Sequence, residues 1–197
     1  QADPVSFFSP YPKIDRKTWY ISDGWANGDH QSCEWRSQSV MATENSTIRL
    51  HLSDTAGKTR PYTCGEIQST TRFGYGRFEA RIKTASGSGL NSAFFTYIGP
   101  PQHVKEHDEI DFEFLGKNPH SLQLGYWHDG KNYDAKVIDL GFDASKEFHD
   151  YAFEWTPTSI IWFADGHEIY KTSGNYPLPR NPRSEEHTSE LQSRSAI

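Results

Sequence analysis

Three carboxylates alternate with large apolar residues in the segment 107–116, which reads HDEIDFEFLG. Successive side chains of a β-strand point to opposite faces, so Glu109, Asp111 and Glu113 share one face. The residues of the other face suit a hydrophobic core: Ile110, Phe112 and Phe114. Like charges about 6 to 7 Å apart along a strand repel one another, so the acidic row does not stabilise the fold. The row therefore indicates a catalytic role.

Cleavage of a glycosidic bond is the chemistry that such a row would serve. One carboxylate attacks the anomeric carbon or guides a water molecule, and a second must be protonated to donate to the departing oxygen. The middle aspartate makes the two glutamates unequal, because its charge and hydrogen bonding favour the protonated form of one neighbour. The spacing leaves both the retaining and the inverting course open, and a solvated acidic strand is the structural alternative.

The rest of the chain supplies the strands that must hold this row. Alternation of apolar and polar residues predicts strands at 48–52, 77–82, 93–98, 109–114, 136–140, 151–155, 160–164 and 167–170. Asp165-Gly166 predicts a tight hairpin between the last two, because this pair tolerates the positive φ angles of a type I′ turn. No segment shows a helical stripe longer than two turns. The sequence therefore predicts an all-β chain folded as an antiparallel β-sandwich, a jelly roll.

Composition limits the class of protein. The chain has 197 residues, which is enough for one domain with a hydrophobic core. The formal net charge of −6 provides no basic patch for nucleic acid, and no apolar run is long enough to span a bilayer. Six tryptophans in a polar chain indicate platforms for sugar rings in addition to core packing.

The two cysteines, Cys33 and Cys64, show no CxxC pattern, so neither a zinc site nor a thioredoxin-type motif is predicted. A disulfide between them would close a loop of about 30 residues and stabilise the fold by roughly 3 to 4 kcal/mol. Two buried thiols are the alternative. Since disulfides persist in oxidising compartments, we expect a secreted protein whose leader peptide has been removed.

The EIDFEF segment, followed by Leu-Gly-Lys, resembles the active-site strand of glycoside hydrolase family 16. The bacterial lichenases and the exopolysaccharide-degrading β-1,3-1,4-glycanases of rhizobia are the most similar members. The resemblance covers residues 19–182 and includes six further motifs in the same order: WANG at 25–28, CEW at 33–35, CGEIQS at 64–69, FGYG at 73–76, FFTY at 94–97 and LGFD at 140–143.

This resemblance implies a jelly roll whose concave face is a glucan cleft, and a retaining endo-hydrolase of β-1,3-1,4-glucan or a related exopolysaccharide. It implies Glu109 as nucleophile, Asp111 as its hydrogen-bonding assistant and Glu113 as general acid and base. It also implies the family's disulfide between Cys33 and Cys64. The implied sugar contacts are Trp25, Asn27, Glu66, Gln68, Phe95, Tyr97, His107, Gln123 and Trp127. We expect a monomer that needs no cofactor and has polysaccharide as its partner, with neither nucleic acid nor membrane.

The chain departs from the lichenase pattern close to the implied chemistry. Gln68 stands where lichenases commonly carry Arg, His107 where they carry Trp, and Gly125 where they carry Asn. The rhizobial type fits better at His107. The resemblance therefore leaves the exact glucan open.

The last fifteen residues differ from the rest of the chain. Residues 183–197 read RSEEHTSELQSRSAI, show no strand alternation and resemble the translation of a cloning adaptor. We predict a hydrolase domain at 1–182 and a non-native tail at 183–197. The family continues beyond the position of Pro182 with further strands and an Asp that helps to hold a structural calcium. The predicted domain therefore lacks C-terminal strands, and calcium binding is doubtful.

Other functions remain open at this point. The β-1,3-glucanases usually insert a Met before the last Glu of the row, which makes a bulge, whereas Phe112 runs directly into Glu113 here. Xyloglucan transglycosylases share the unbulged strand, and a non-catalytic glucan-binding jelly roll would share the fold. The string HVKEH at 103–107 matches a metalloprotease motif, but that chemistry needs a helix, and Pro100-Pro101 and a predicted strand flank it.

Overall fold

The structure, a computed structural model, describes residues 13–100, 107–180 and 190–196. Its regular elements are β-strands and one short 3-10 helix, Ser37–Ser39. The strands in chain order are β1 (Trp19–Ile21), β2 (Cys33–Trp35), β3 (Val40–Ala42), β4 (Ile48–Leu50), β5 (Tyr62–Cys64), β6 (Glu66–Ser69), β7 (Gly76–Ile82), β8 (Asn91–Ile98), β9 (Asp108–Leu115), β10 (Ser121–His128), β11 (Lys131–Asp139), β12 (His149–Trp155), β13 (Ile160–Ala164), β14 (His167–Lys171) and β15 (Glu190–Ala196). Within these ranges, no helix has the length and apolar character needed to cross a membrane.

Two antiparallel sheets form the body of the fold. The larger has seven strands in the order β1-β6-β15-β8-β9-β10-β11, and the smaller has four in the order β14-β13-β12-β7. Every neighbouring pair in both sheets is antiparallel. Two small sheets, antiparallel β3-β4 and parallel β2-β5, complete the set. The predicted antiparallel β-sandwich is confirmed.

An aromatic core lies between the two large sheets. The apolar face of β9 belongs to it, since Ile110, Phe112 and Phe114 are at most 2% exposed. These rings meet β12 of the other sheet: Phe114 lies 4.7 Å from Tyr151, and Phe112 lies 6.3 Å from Phe153, between ring centroids. Because successive residues point to opposite faces, burial of this face turns the three acids to the other side of the sheet.

Local sequence determines the β13–β14 hairpin. Ala164 pairs with His167, so the connecting turn consists of Asp165 and Gly166. Their φ angles are +48° and +78°, the signs that a type I′ turn requires at both central positions. The predicted hairpin is confirmed.

Cys33 and Cys64 form a disulfide with a Cα–Cα distance of 5.7 Å, which confirms that prediction. The bond joins β2 to β5 and is fully buried together with Trp35. It closes the segment 33–64, which begins directly after the loop that bears Trp25 and Asn27, two of the implied sugar contacts.

Residues 190–196 of the predicted tail form a strand, although their sequence shows no alternation of apolar and polar residues. This segment, β15, lies between β6 and β8 and pairs with both. A sheet is joined through backbone N–H and C=O groups, which every residue except proline can supply, so a segment without apolar alternation can still be paired. The string at 103–107 lies outside the described residues except for His107, which immediately precedes β9.

Candidate active site

The three acids of β9 stand at the centre of rows of side chains that cross the larger sheet. Residues directly opposite each other on antiparallel strands share a face, so the register identifies each row. The rows are Tyr97–Glu109–Trp127, Phe95–Asp111–Gly125 and Ala93–Glu113–Gln123. The structure therefore brings four implied sugar contacts beside the acids.

The rows continue onto β6 on the far side of β15. Position 192 of β15 pairs with both Gln68 and Phe95, and position 194 pairs with both Glu66 and Ala93. Glu66 and Gln68 thus share the face of the acids, three strand spacings or about 14 Å away. Both are buried, and the Gln68 Nε2 group donates to Glu66 Oε1 at 2.8 Å. Ser22 Oγ donates to the same oxygen at 2.5 Å.

The acids themselves are shielded from solvent. Asp111 is 9% exposed, the side chain of Glu109 is 11% exposed, and Glu113 is half-buried. A fully buried tryptophan of the opposite sheet, Trp162, donates through Nε1 to the backbone carbonyl oxygen of Asp111 at 3.0 Å. This bond crosses the core and fixes the backbone of the acid strand at its middle residue.

His107 contacts the first acid of the row. Its Nε2 atom lies 2.7 Å from Oε2 of Glu109. The imidazole ring stacks on Trp127 with a centroid distance of 4.8 Å and an interplanar angle of 17°, and it lies 5.0 Å from the Tyr97 ring. Tyr97 is held in turn, because its hydroxyl donates to the Pro100 carbonyl at 2.7 Å. Three implied sugar contacts therefore surround Glu109.

Asn91 is a neighbour of the last acid that the sequence analysis missed. Its Nδ2 group donates to Oε1 of Glu113 at 3.5 Å, the long limit of a hydrogen bond. Asn91 pairs with Leu115, so it lies on the face of the acids, one step along β8 from Ala93. The alternation at 91, 93, 95 and 97 could have identified it, because these positions share one face of the strand.

Trp25 and Asn27 belong to the loop after β1, at the edge of the larger sheet. Trp25 is 37% exposed and packs edge-on against Trp35 at 6.3 Å between centroids. The loop is tied down by Arg60, which donates to the carbonyl oxygens of Gly28 and Gln31, each at 2.9 Å. The structure thus presents an ordered aromatic side chain there, apart from the group around Glu109.

The implied sugar contacts differ in accessibility. Glu66, Gln68 and Phe95 are buried and form the floor of the face. The side chains that reach the surface are Trp25, Asn27, Tyr97, His107, Gln123 and Trp127.

One group of potential metal ligands occurs beside the acids. Ligand atoms of Asp108, His128 and Asp129 lie within 4.8 Å of one another. His128 Nδ1 is already 3.0 Å from Asp108, and its Nε2 is 3.4 Å from Asp129. The backbone N–H of Asp129 also donates to Asp108 at 2.9 Å. These contacts form a polar network that joins the start of β9 to the end of β10.

Comparison with known proteins shows which proteins resemble this chain in sequence and in fold. The family model described as "Glycosyl hydrolases family 16" matches residues 27–184. The endo-1,3-1,4-beta-glycanase ExoK of Rhizobium meliloti (strain 1021) is 43% identical over 176 residues, which are 89% of this chain and 65% of that protein. The beta-glucanase of Paenibacillus polymyxa is 40% identical over 176 residues, 89% of this chain and 72% of that protein.

A solved structure is similar along nearly the whole chain. It is a prokaryotic beta-1,3-1,4-glucanase (lichenase) derived from a mouse hindgut metagenome, with a TM-score of 0.85 and 33% identity. The similarity covers 95% of this chain and 84% of that one. Against the two relatives above, this chain spans 65% and 72% of their length.

Proposed function

Because this chain belongs to family 16 of the glycosyl hydrolases, we propose that it is a retaining endo-hydrolase of mixed-linkage β-1,3-1,4-glucan or a closely related exopolysaccharide. The observation that carries the proposal is the row of Glu109, Asp111 and Glu113 on one face of β9, flanked by aromatic and amide side chains. The two relatives, an endo-1,3-1,4-beta-glycanase and a beta-glucanase, support the substrate class.

In the proposed reaction, a carboxylate oxygen of Glu109 attacks the anomeric carbon. The bond from that carbon to the bridging oxygen breaks, and Glu113 gives its proton to the departing oxygen, so the first sugar product leaves. A water molecule then attacks the anomeric carbon, Glu113 takes a proton from it, and Glu109 departs as a carboxylate. Two inversions give net retention, and the reaction needs no cofactor.

Asp111 acts between the two glutamates. Its position at the middle of the row, with low exposure, makes its charge effective on both neighbours, because burial weakens screening by water. We assign it the role of hydrogen-bonding assistant to Glu109. Trp162 supports this role by fixing the backbone at Asp111.

The sugar chain binds along the face of the acids. Trp25 and Trp127 provide rings for the apolar faces of glucose units, while Asn27 and Gln123 provide amides for hydroxyl groups. Glu66, Gln68 and Phe95 form the floor beneath these units. The exposed ring of Trp25 at the edge of the sheet extends the proposed cleft beyond the acids, as an endo-acting enzyme requires.

Secretion and a monomeric state complete the proposal. The Cys33–Cys64 disulfide supports an oxidising destination, because such bonds persist outside the cytosol. A polysaccharide substrate is too large for uptake before cleavage, which supports the same destination.

The β-1,3-glucanase alternative would need a bulge in the acid strand. Register runs without interruption from Glu109 to Glu113 against both β8 and β10, which supports the mixed-linkage assignment. Transglycosylation is the remaining catalytic alternative, and products distinguish it from hydrolysis.

Products from four polysaccharides test the proposal. We expect release of reducing oligosaccharides from barley β-glucan and lichenan, and much less from laminarin or xyloglucan. Laminarin as the preferred substrate would favour a β-1,3-glucanase, and longer xyloglucan chains would favour a transglycosylase. Binding of barley β-glucan without release of sugars would indicate a binding module and overturn the proposal.

Azide rescue tests the roles of the two glutamates. We expect Glu109→Ala and Glu113→Ala each to abolish hydrolysis, since one removes the covalent partner and the other the proton donor, while Asp111→Asn leaves weak activity. With an activated aryl glycoside and azide, Glu109→Ala should give the α-glycosyl azide and Glu113→Ala the β-azide, as judged by NMR of the products. The reverse pattern would exchange the two assignments.

A further inference from the structure

We propose that His107 is a positioning residue for catalysis: it donates a hydrogen bond that fixes the carboxylate of Glu109 for attack. The inference rests on the proposed function, because it concerns the same acid row. It assigns His107 a role different from the sugar contact implied by sequence.

The first observation is the contact itself. His107 Nε2 lies 2.7 Å from Glu109 Oε2, within the range of a charge-assisted hydrogen bond. An ionised carboxylate has no hydrogen to offer, so the Nε2–H group of the imidazole must be the donor. Since the Glu109 side chain is 11% exposed, water competes little for this bond.

The second observation is that the imidazole is fixed before substrate arrives. One ring face stacks on Trp127 at 4.8 Å. The backbone carbonyl of His107 accepts a hydrogen bond from the N–H of Gly130 at 2.8 Å. Gly99 lies so close that a Cβ atom there would be 3.3 Å from the His107 Cα and 2.8 Å from the Tyr97 hydroxyl oxygen. Because the ring, the backbone and the neighbouring loop of His107 are all held in place, its Nε2–H group can fix the orientation of the Glu109 carboxylate.

The consequence follows from the flexibility of glutamate. Glu109 has three side-chain torsions, and attack requires its oxygen within about 3 to 3.5 Å of the anomeric carbon in the right direction. Ordering a glutamate side chain costs up to about 2 kcal/mol of conformational entropy. A hydrogen bond made before substrate binds removes part of this cost from the reacting step, so its loss should lower kcat more than it raises KM.

A sugar-binding role for His107 would have a different signature. One face of the His107 ring is covered by Trp127 and its Nε2 atom contacts Glu109. Neither that face nor that atom is therefore available to a sugar. A residue that binds substrate and transition state equally affects KM with kcat unchanged. The kinetic constants of suitable variants therefore distinguish the two roles.

Two variants separate the hydrogen bond from the ring. His107→Phe keeps a ring for stacking on Trp127 and removes the donor, whereas His107→Gln keeps an N–H donor near the position of Nε2. On barley β-glucan we expect His107→Phe to lower kcat about 10- to 100-fold, by analogy with the loss on removal of a hydrogen-bond partner that orients a metal ligand. KM should stay near the wild-type value, and His107→Gln should recover most of kcat. The matched control is His120→Phe, at a largely exposed histidine outside the row.

A substrate with a good leaving group shows whether His107 acts through Glu109 or through Glu113. A 4-nitrophenyl glycoside of a gluco-oligosaccharide has a leaving group that hardly needs a proton, so Glu113→Gln should still form the glycosyl-enzyme at a substantial rate. His107→Phe should remain slow in the nitrophenolate burst, because the attack by Glu109 is still required. A normal burst in His107→Phe would overturn the proposal, as would a raised KM with unchanged kcat.

A spectroscopic measurement keeps the test independent of turnover. We expect a downfield, slowly exchanging Nε2–H signal of His107 in the proton NMR spectrum, absent from both His107→Phe and Glu109→Ala. If the wild-type chain releases no sugar while this signal is present, the proposed function fails and the contact stands. If the signal is absent, or present unchanged in Glu109→Ala, the positioning inference is wrong whatever the activity.

Discussion

At the scale of single residues, the fold gives the members of the acid row different neighbours. Glu109 meets the imidazole of His107, and Glu113 meets the amide of Asn91. The strand pattern predicts that Asp111 makes the two glutamates unequal, but it does not say which of them is protonated, because each lies two positions from Asp111. Different hydrogen-bond donors provide the asymmetry that a nucleophile and a proton donor require.

Glu34 is a second carboxylate with a defined role, away from the acid row. It is fully buried and accepts hydrogen bonds from the backbone N–H groups of Lys58 and Thr59 and from the Thr59 hydroxyl. Burial raises the pKa of this carboxyl, but these bonds, with Arg36 nearby, outweigh burial and hold the pKa below its ordinary value of 4.5. The ionised form therefore stabilises the fold.

We predict that Glu34→Gln lowers the free energy of unfolding by about 1 to 3 kcal/mol at neutral pH, because one N–H group loses its acceptor. A lowered pKa contributes stability above pH 4.5 that is lost as the pH falls through the folded-state pKa. Urea denaturation at several pH values should therefore show a smaller difference between the two proteins at acid pH.

The control for this prediction is Glu79→Gln, which removes an exposed ion pair with Arg77 and should cost less than about 1 kcal/mol. A difference between Glu34→Gln and wild type that is constant with pH would contradict the prediction.

At the scale of elements, the acid strand depends on the opposite sheet. Trp162 of β13 reaches through the core to the carbonyl of Asp111. We predict that Trp162→Phe lowers the free energy of unfolding by about 2 to 4 kcal/mol, from a lost hydrogen bond and a cavity. Because β9 loses a backbone constraint, kcat on β-glucan should fall as well.

Trp155→Phe is the matched variant, since the Trp155 indole is also buried but donates to Pro179. It should lose comparable stability in thermal and urea denaturation while kcat changes little. Equal losses of kcat in the two variants would show that general loosening of the core, and not the bond to Asp111, affects the acid strand.

The disulfide belongs to the same scale, because it joins β2 to β5. The two cysteines are 31 positions apart in the sequence, so the closed loop restricts the unfolded chain and stabilises the fold by roughly 3 to 4 kcal/mol. We predict a clearly lower Tm under reducing conditions in differential scanning calorimetry. Thiol titration of the unreduced, denatured protein should find no free thiol, and two free thiols would contradict the bond.

At the scale of the whole molecule, β15 decides whether the larger sheet is continuous. It pairs at seven positions with β8 and at three with β6. We propose that residues 1–182 form the hydrolase domain and that the tail is non-native, with its last residues paired in the sheet through their backbone. Without β15, strands β1 and β6 would lose their connection to the acid row through this sheet.

We therefore predict that deletion of residues 183–197 leaves the protein aggregation-prone and inactive, because two exposed strand edges remain in a fold of about 5 to 15 kcal/mol net stability. Light scattering and a β-glucanase assay would measure this. Replacement of residues 190–196 by a threonine-rich segment of equal length should retain folding, since the pairing uses the backbone. A stable, active deletion variant would show that β15 contributes nothing.

The sequence by itself determined the features that depend on neighbouring residues. Alternation at 109–114 identified both the acid face and the core face, since side-chain direction in a strand has a period of two. Asp165-Gly166 identified the hairpin, because that turn needs positive φ angles that few residues adopt. The spacing of Cys33 and Cys64, without a CxxC pattern, favoured the disulfide. The first two signals are local, and all three can be recognised without knowledge of the partner strand.

Only the tertiary structure decided which distant residues meet. Strand β6 carries Glu66 and Gln68 and is buried at every position although three of its four residues are polar, so its burial could not be inferred from hydrophobic alternation. The contacts of Trp127 with His107 and of Trp162 with Asp111 depend on strand register and on sheet packing, neither of which a short stretch of sequence specifies. The place of residues 190–196 is the extreme case, because backbone pairing leaves almost no trace in side-chain identity.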